Sequence, residues 1–282
     1  MKKIVYLIAI LPLLLACNTE FFKMDETDAQ TGLRVKGDGL KCETVEIQVD
    51  GEKITRNYFY QGEKVDFIFK DIYGLKRIKQ LAYPELSIVI KTKEGDIVNE
   101  TKDALGDQGH LEFPLKIIAY FEAAFDRELG SEFDITITIK DKKGDGIITA
   151  SMPFEVVPNP NITVNAVNTT YDMVYLWDED EKKVITSDYI SPGKTYYLVV
   201  QGLENIKSPV VPLEIMDENG ELLFTNPDIF DDVSPDEAAK FLKHFSAEFY
   251  VPRSASGPVT VRVKVIDEES DNSLVAETTV KI

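Results

Sequence analysis

Three blocks of this sequence occur twice, in the same order and at a nearly constant separation. Apolar residues stand at matching positions in the two copies; Ile135 and Ile137, for example, correspond to Val261 and Val263. Self-similarity at a fixed period indicates one structural unit repeated along the chain. The chain is therefore expected to fold as two copies of one module. The matched ranges are 62–69 with 193–200, 86–95 with 211–220, and 135–145 with 261–271.

Each block alternates apolar and mostly polar residues with a period of two, as in the segment 135–140 (ITITIK). This pattern is typical of a strand that is buried on one face. Turn-forming pairs such as Glu94-Gly95 and Asn219-Gly220 separate the blocks. Because one-sided sheets must bury their apolar faces against each other, we expect an all-β fold of two tandem immunoglobulin-like antiparallel β-sandwich modules. The Cys, Trp, Cys framework of antibody domains is absent, so the likeness is one of architecture.

The stretch 157–161 (VPNPN) marks the boundary between the two copies. Its two prolines lack a backbone donor and fix φ, so the stretch cannot continue a central strand. It is expected to act as a short, stiff joint. The sequence therefore predicts a first module at 33–157 and a second at 158–282.

One short helix is predicted in the second module. Ser234 and Glu237 have the spacing of a capping box, with a proline at the first helical position between them. Apolar residues then recur at helical spacing up to Phe245. The repeat alignment makes 117–125 equivalent to 243–251, whose second half is extended in character. The helix is therefore expected to end near Phe245.

Residues 1–16 have the features of an export signal, because Lys2 and Lys3 precede an apolar run that is shorter than the roughly 20 residues of a membrane-spanning helix. The run ends in Leu14-Leu15-Ala16-Cys17, which resembles the lipobox of bacterial lipoproteins. The resemblance implies cleavage after Ala16 and diacylation of Cys17, with 17–32 as the lipidated cysteine and a flexible tether. An ordinary secretory signal that happens to end near a cysteine is the alternative.

Asn18 follows the cysteine. In the sorting rule of enteric lipoproteins, an aspartate at this position retains the protein in the inner membrane, so the resemblance favours the outer membrane. Surface-exposed lipoproteins of Bacteroidota carry a short acidic signal directly after the cysteine, and here only Glu20 lies close. The sequence leaves open whether the protein faces the periplasm or the cell surface.

The chain carries 49 acidic and 31 basic side chains and a formal net charge of -18. Binding to phosphate backbones requires clustered lysine and arginine, so nucleic acid is excluded as a general partner. An acidic body is also repelled by an anionic leaflet. On net charge alone, the folded part is expected to stand away from the lipid.

The lipobox, the acidic stretch after it and the repeated modules make this chain similar to uncharacterised outer-membrane lipoproteins of Bacteroidota that carry tandem immunoglobulin-like domains. The resemblance implies a membrane-anchored, non-catalytic binding or scaffold component of an outer-membrane or cell-surface protein complex. Its expected partners are other envelope proteins, together with the membrane through the N-terminal lipid. The alternative is a surface glycan-binding lipoprotein of a polysaccharide-uptake system.

Aromatic residues are concentrated in the second module, and sugar-binding surfaces stack pyranose rings on exposed Trp and Tyr. Because aromatic and aliphatic residues alternate along these segments, at least one set of rings must face the core. The candidate ligand platform consists of Tyr175, Trp177, Tyr189 and Tyr196.

No enzyme motif, metal-ligand spacing or cofactor-binding loop occurs in the chain, so no catalytic residue, metal or cofactor is predicted. Asp141-Lys-Lys-Gly-Asp145 and its counterpart Asp267 to Asp271 lack the alternating ligands of a calcium loop, which favours hairpin turns. Cys42 would have no intramolecular partner once Cys17 is acylated. A lone cysteine of this kind is most simply a small buried hydrophobic residue.

Overall fold

The computed structural model describes residues 22–126, 128 and 130–282. Ala16, Cys17 and the rest of the predicted export signal lie outside these residues. Within the described part of the chain, the backbone forms strands almost throughout, with one helix. No helix in that part is long and apolar enough to cross a bilayer.

Module 1 contains eleven strands that form two sheets packed face to face. The larger sheet has the order β1-β2-β11-β10-β7-β8, with β5 parallel to β11, and the smaller has the order β4-β3-β6-β9. The strands are β1 Met24–Thr27, β2 Arg34–Asp38, β3 Thr44–Val49, β4 Glu52–Lys53, β5 Tyr58–Tyr60, β6 Lys64–Ile72, β7 Pro84–Thr92, β8 Ile97–Thr101, β9 Leu115–Glu122, β10 Glu132–Asp141 and β11 Ile147–Val157.

Module 2 repeats this arrangement with ten strands and the helix. Its larger sheet has the order β12-β21-β20-β17-β18, with β16 beside β20, and its smaller sheet has the order β14-β13-β15-β19. The elements are β12 Ile162–Val167, β13 Met173–Asp178, β14 Lys183–Ile185, β15 Thr195–Gln201, β16 Pro209–Val210, β17 Leu213–Met216, β18 Leu222–Asn226, α1 Pro235–Phe241, β19 His244–Tyr250, β20 Val259–Asp267 and β21 Ser273–Val280.

The strand alternation accounts for both cores. Ile135, Ile137 and Ile139 of β10 are buried, and the threonines between them are partly exposed on the other face. One buried cluster extends from Leu33 to Phe154 and the other from Ile162 to Val280. The expected fold class, two tandem immunoglobulin-like antiparallel β-sandwich modules with one short helix in the second, is confirmed.

Strand register supports the repeat residue by residue. Ile137 pairs with Ile88 and Ala150, and its counterpart Val263 pairs with Leu213 and Ala276, at the aligned positions. The alignment of 117–125 with 243–251 is wrong by two residues, because Phe69 pairs with Ile117 whereas Val200 pairs with Phe245. An even shift leaves the same side chains on the core face, so burial alone could not reveal the error.

The helix is shorter than expected. It ends at Phe241, and Phe245, which was assigned to its end, is already the second residue of β19. Phe245 pairs with Val200 in the β-sheet. The backbone hydrogen bonds of this pairing would be lost if the helix continued for another turn. The Ser234 hydroxyl donates to the Glu237 carboxylate (2.9 Å) and does not cap a backbone N–H of the helix. The N–H groups of Glu237 and Ala238 donate to the Ser234 carbonyl instead.

The predicted tether also ends earlier than residue 32. Met24–Thr27 form β1, which pairs with β2. The Arg34 guanidinium donates to the Asp25 carboxylate at 3.1 Å, and the Asp28 carboxylate accepts the backbone N–H of Thr31 in the following turn. These contacts attach the chain to module 1 from its first described residues onward.

Because every buried member of the second cluster comes from residues 162–280, we expect the fragment 158–282 to fold on its own and to melt cooperatively when followed by circular dichroism. The fragment keeps Asn159, whose amide donates to the Ile185 carbonyl at 2.9 Å. A Val263→Asp version, with a charge in the core, should show no transition. A non-cooperative melt of the unmodified fragment would mean that module 2 depends on module 1.

Candidate functional site

The two modules are joined by a specific contact as well as by the linker. The side-chain amide of Gln61 donates to the carbonyl of Asp172 (3.2 Å) and accepts the N–H of Val174 (3.3 Å). Beside it, Gly62 has a φ of 80°, and a β-carbon there would lie 2.9 Å from Val184 and 3.2 Å from Tyr175. This close approach requires glycine, since a side chain would push the modules apart.

A groove of about 750 Å³ opens next to this contact, between the start of β6 in module 1 and the outer face of β13, β15 and β19 in module 2. Its floor is aromatic, with Tyr175 and Trp177 on β13 and Tyr197 on β15. Trp177 and Tyr197 are directly paired across the two strands. The wall from module 1 contributes charged residues, among them Glu122 and Lys64.

Each of these three rings is oriented by one polar contact. The Trp177 indole N–H donates to Glu179 (3.0 Å), the Tyr197 hydroxyl donates to Glu248 (3.2 Å), and the Tyr175 hydroxyl accepts from the Gln201 amide (3.1 Å). Burial raises the pKa of Tyr175, and the Glu122 carboxylate across the groove raises it further. Tyr175 therefore keeps its hydroxyl protonated at neutral pH. All three rings are half-buried, with polar groups at their edges.

Comparison with module 1 shows that the fold does not require these rings. The ladder β3–β6 is equivalent to β13–β15, and Gln48 pairs with Asp66 where Trp177 pairs with Tyr197. Tyr175 likewise takes the position of Glu46. Module 1 builds the same sheet with polar residues at all three positions, so the aromatic floor in module 2 is a property of its surface rather than of its core.

The four candidate platform residues do not form one surface. Tyr175 and Trp177 lie together in the groove, whereas Tyr196 is buried and its hydroxyl donates to the carbonyl of Ser191 (3.0 Å) and accepts the N–H of the same residue (2.9 Å). Tyr189 is exposed, but it lies in the loop after β14 and does not line the groove. The assignment of Tyr196 to a ligand platform is wrong because both faces of its ring are covered.

Tyr197 was missed as a platform residue, although the repeat contained the signal. Tyr196 and Tyr197 align with Val65 and Asp66. A valine followed by an aspartate in an alternating strand indicates that the first position faces the core and the second faces solvent. In module 2 the same alternation places Tyr196 on the core face and Tyr197 on the solvent face, so Tyr197 is the platform residue.

A second unusual surface lies at the edge of the larger sheet of module 2. β18 is the last strand of that sheet, and Leu222, Leu223 and Phe224 are 59%, 59% and 50% exposed. Among the described residues, β17 is the only strand that pairs with β18. The equivalent edge of module 1 is β8, where Ile97 stands in place of Leu222, Asn99 in place of Phe224 and Glu100 in place of Thr225. Both edge strands thus begin with an exposed apolar residue, and β8 turns polar where β18 continues with Phe224. A polar edge resists pairing with other chains, and an apolar one invites it.

Asp141 and Asp267 are buried acceptors in hairpin turns. Asp141 accepts the N–H of Lys76 (2.7 Å) and of Lys143 (3.0 Å), and Asp267 accepts the N–H of Ser208 (2.8 Å) and the hydroxyl of Ser270 (2.7 Å). Each carboxylate thus joins its own turn to the loop that follows the central strand of the smaller sheet. The described residues contain no group of three or more His, Cys, Asp or Glu side chains placed to hold a metal ion.

Cys42 is buried, in agreement with its interpretation as a small hydrophobic residue. Desolvation raises the pKa of its thiol to about 12, with a further contribution from the carboxylate of Glu26. A thiol with this pKa is not a nucleophile at neutral pH. The exposed His244 begins β19 and lines the groove.

No protein-family model matches the chain, and no curated protein matches it. Several solved structures are similar to it at low identity. The C-terminal domain of wzt is 13% identical with a TM-score of 0.31, over 48% of this chain and 78% of that one. The fibronectin(III)-like modules of Clostridium thermocellum CbhA are 9% identical with a TM-score of 0.21, over 84% and 93%. A calcium-binding mutant of Bacteroides uniformis beta-glucuronidase 2 is 11% identical with a TM-score of 0.24, over 86% and 31%. These likenesses concern the fold alone.

Asp267→Ala should lower the free energy of unfolding by about 1–3 kcal/mol, because it leaves the part-buried N–H of Ser208 without an acceptor. Burial acts to raise the pKa of Asp267, but the Ser270 hydroxyl and backbone N–H groups outweigh it and hold the pKa below its usual value. The carboxylate therefore stabilises the fold above its unfolded pKa of about 3.9, and this stabilisation is lost as the pH falls through the lower folded value.

Urea unfolding of the wild type and of Asp267→Ala at neutral and acidic pH measures both effects. Asp271→Ala is the matched control, because it removes the same charge from an exposed position of the same turn. An equal loss of stability in both variants would contradict the structural role assigned to Asp267.

Proposed function

We propose that this protein is a membrane-anchored, non-catalytic binding component of an outer-membrane or cell-surface protein complex, and that module 2 contacts the partner. The observation that carries this proposal is the apolar edge strand β18. An edge strand offers a row of backbone donors and acceptors to which an extended segment can add as a further strand. Leu222, Leu223 and Phe224 add exposed apolar side chains on both faces of that strand.

The contrast with module 1 argues against a purely structural explanation of this edge. β8 closes the same position of the same sheet with the sequence 97–101 (IVNET), which has the exposed Ile97 at the position of Leu222 but the polar Asn99 at the position of Phe224, so the fold does not require an apolar residue at position 224. Exposing apolar surface costs about 25 cal/mol per Å² relative to burying it. A partner strand would cover that surface and satisfy the open edge at the same time.

Charge around β18 indicates the chemistry of the partner. Glu218 and Glu221 precede the strand and Asp228 and Asp231 follow it. A second copy of this chain would bring these acids together, which disfavours self-association through β18. A segment of another envelope protein with alternating apolar residues flanked by lysine or arginine would complement the strand and both of its ends.

Affinity purification from native membranes tests this assignment when wild type and edge variants are compared. Phe224→Asn with Thr225→Glu gives β18 the residues that already serve module 1 at Asn99 and Glu100, so the fold should be kept. Envelope proteins that accompany the wild type should be lost from this double variant and retained by the control Asn99→Ala. Equal recovery with both variants would remove β18 from the proposal.

Glycan binding is the second candidate, and the groove favours it. Tyr175, Trp177 and Tyr197 lie side by side in a preformed groove, with carboxylates and an amide at the ring edges that could accept and donate hydrogen bonds to sugar hydroxyls. A platform of this kind would suit a surface glycan-binding lipoprotein of a polysaccharide-uptake system.

Fluorescence of Trp177, the only tryptophan in the chain, separates the two candidates. If the protein binds a protein partner, its emission should not change on addition of polysaccharides. A shift with one polysaccharide, weakened by Tyr197→Ala and unaffected by Tyr189→Ala, would establish the glycan site. The two variants remove the same ring, inside and outside the groove respectively.

A further inference from the structure

The end of module 1 that lies away from module 2 carries an exposed apolar and basic cluster. Leu111, Phe113 and Ile78 are 68%, 65% and 43% exposed. They share this end with Lys76, Arg77 and Lys79, which stand between the first two matched blocks, where module 1 has six more residues than module 2. We call these six residues the tip.

Contacts hold the tip together. The Arg77 guanidinium lies 4.8 Å from the Phe113 ring centroid and donates to the carbonyls of Gln80 (2.7 Å), Leu111 (3.3 Å) and Glu112. The Phe113 ring packs edge-on against Tyr73 at 5.9 Å. The apolar side chains are thus exposed on a braced loop pair. Glu112 is the acid between Leu111 and Phe113.

The chain enters module 1 at this same end. The backbone of Lys41 exchanges hydrogen bonds with Tyr73 (3.2 and 2.8 Å), and the Lys41 ammonium lies 5.9 Å from the ring centroid of Phe22. A continuous series of contacts therefore runs from Phe22 through Lys41 and Tyr73 to Phe113. The first described residue is part of the neighbourhood of the tip.

Covalent geometry limits how far this end can be from the anchor. Phe22 is the fifth residue after Cys17, and an extended chain reaches at most roughly 18 Å over five residue steps. The joint with module 2 lies at the other end of β6, because Gln61 and Gly62 precede that strand and Tyr73 follows it. If Cys17 is acylated, the tip is the part of module 1 that the lipid holds nearest to the membrane.

We propose that the tip docks on the membrane leaflet that holds the Cys17 lipid, with Leu111, Phe113 and Ile78 at the headgroup boundary and the basic residues on lipid phosphates. This inference rests on the lipid anchor of the proposed function. Protein surfaces that bind membrane interfaces combine exposed aromatic and aliphatic side chains with neighbouring lysine and arginine. Among the described residues, no carboxylate forms an ion pair with Lys76 or Lys79.

The inference reverses the expectation from net charge. A charge of -18 predicts repulsion from anionic lipid when it is treated as evenly spread. Surface potentials act over about 8–10 Å in physiological salt, so the charges at the tip decide the contact and those on module 2 do not. At the tip, Lys76, Arg77 and Lys79 stand beside Glu112 and the buried Asp141, whose carboxylate accepts the backbone N–H of Lys76 (2.7 Å), so the cations outnumber the acids three to two.

Depth-dependent quenching tests the docking. The acylated full-length mature protein, with Trp177→Phe, receives a single new tryptophan through Phe113→Trp and is reconstituted into vesicles of phosphatidylethanolamine and phosphatidylglycerol with brominated acyl chains. Its emission should be strongly quenched. The control is Ile97→Trp, at a position 56% exposed near the other end of module 1, and it should not be quenched. Leu111→Trp is a second probe in case the first variant is unstable.

The charge contribution has its own variants. Lys76→Glu with Lys79→Glu should reduce quenching of the position-113 probe, since one basic residue near an anionic surface changes binding about fivefold. Lys91→Glu makes a similar change at an exposed site near the other end of the module and should have no effect. If the brominated lipids quench the tryptophans at positions 113 and 97 to the same extent, the proposal is overturned.

The same samples separate this inference from the proposed function. Mass spectrometry of the N-terminal peptide reports acylation of Cys17 directly. An unmodified Cys17 would refute the anchor. An acylated protein whose position-113 tryptophan stays unquenched would refute docking of the tip and leave the anchor standing.

Discussion

Burial of one face of each central strand is the interaction on which both modules depend. In module 1 the isoleucines of β10 pack between those of β7 and the side chains of β11, and in module 2 the valines of β20 do the same between β17 and β21. This ladder leaves the outer faces and the edges unconstrained. The two modules therefore share a core and differ in their surfaces, which is where the aromatic groove, the apolar edge and the tip occur.

Much of the fold could be predicted because the relevant signal is local. Alternation identified Ile135, Ile137 and Ile139 as one buried face, and the recurrence of that pattern revealed the second module. The end of the helix could not be predicted in the same way. Phe245 fits helical spacing and strand alternation equally well, and only its pairing with Val200, far away in sequence, decides between them. The two-residue error in the alignment of β9 with β19 has the same origin.

The candidate site was predicted in part. Tyr175 and Trp177 were chosen for their chemistry and do lie together, whereas Tyr196 was chosen by the same criterion and is buried. The distinction was present in the repeat, where Val65 and Asp66 show which of two adjacent positions faces solvent. The groove itself could not be predicted, because it depends on how Gln61 and Gly62 fit against module 2. No periodic pattern encodes a contact of that kind.

The position of these surfaces along the molecule gives the contact at Gln61 a role beyond stability. The tip and the chain entry lie at one end of module 1, and module 2 is attached at the other end of β6, a strand of nine residues that spans roughly 30 Å. If the protein is anchored and docked as proposed, a partner bound at β18 would be held away from the membrane by the length of module 1. That separation is defined only if the modules do not pivot, and two prolines alone cannot prevent pivoting. The amide of Gln61, bonded to both Asp172 and Val174, and the close approach of Gly62 to Tyr175 fix the orientation of module 2 and the shape of the groove together. The positions of the groove and of β18 relative to module 1 therefore depend on this one contact.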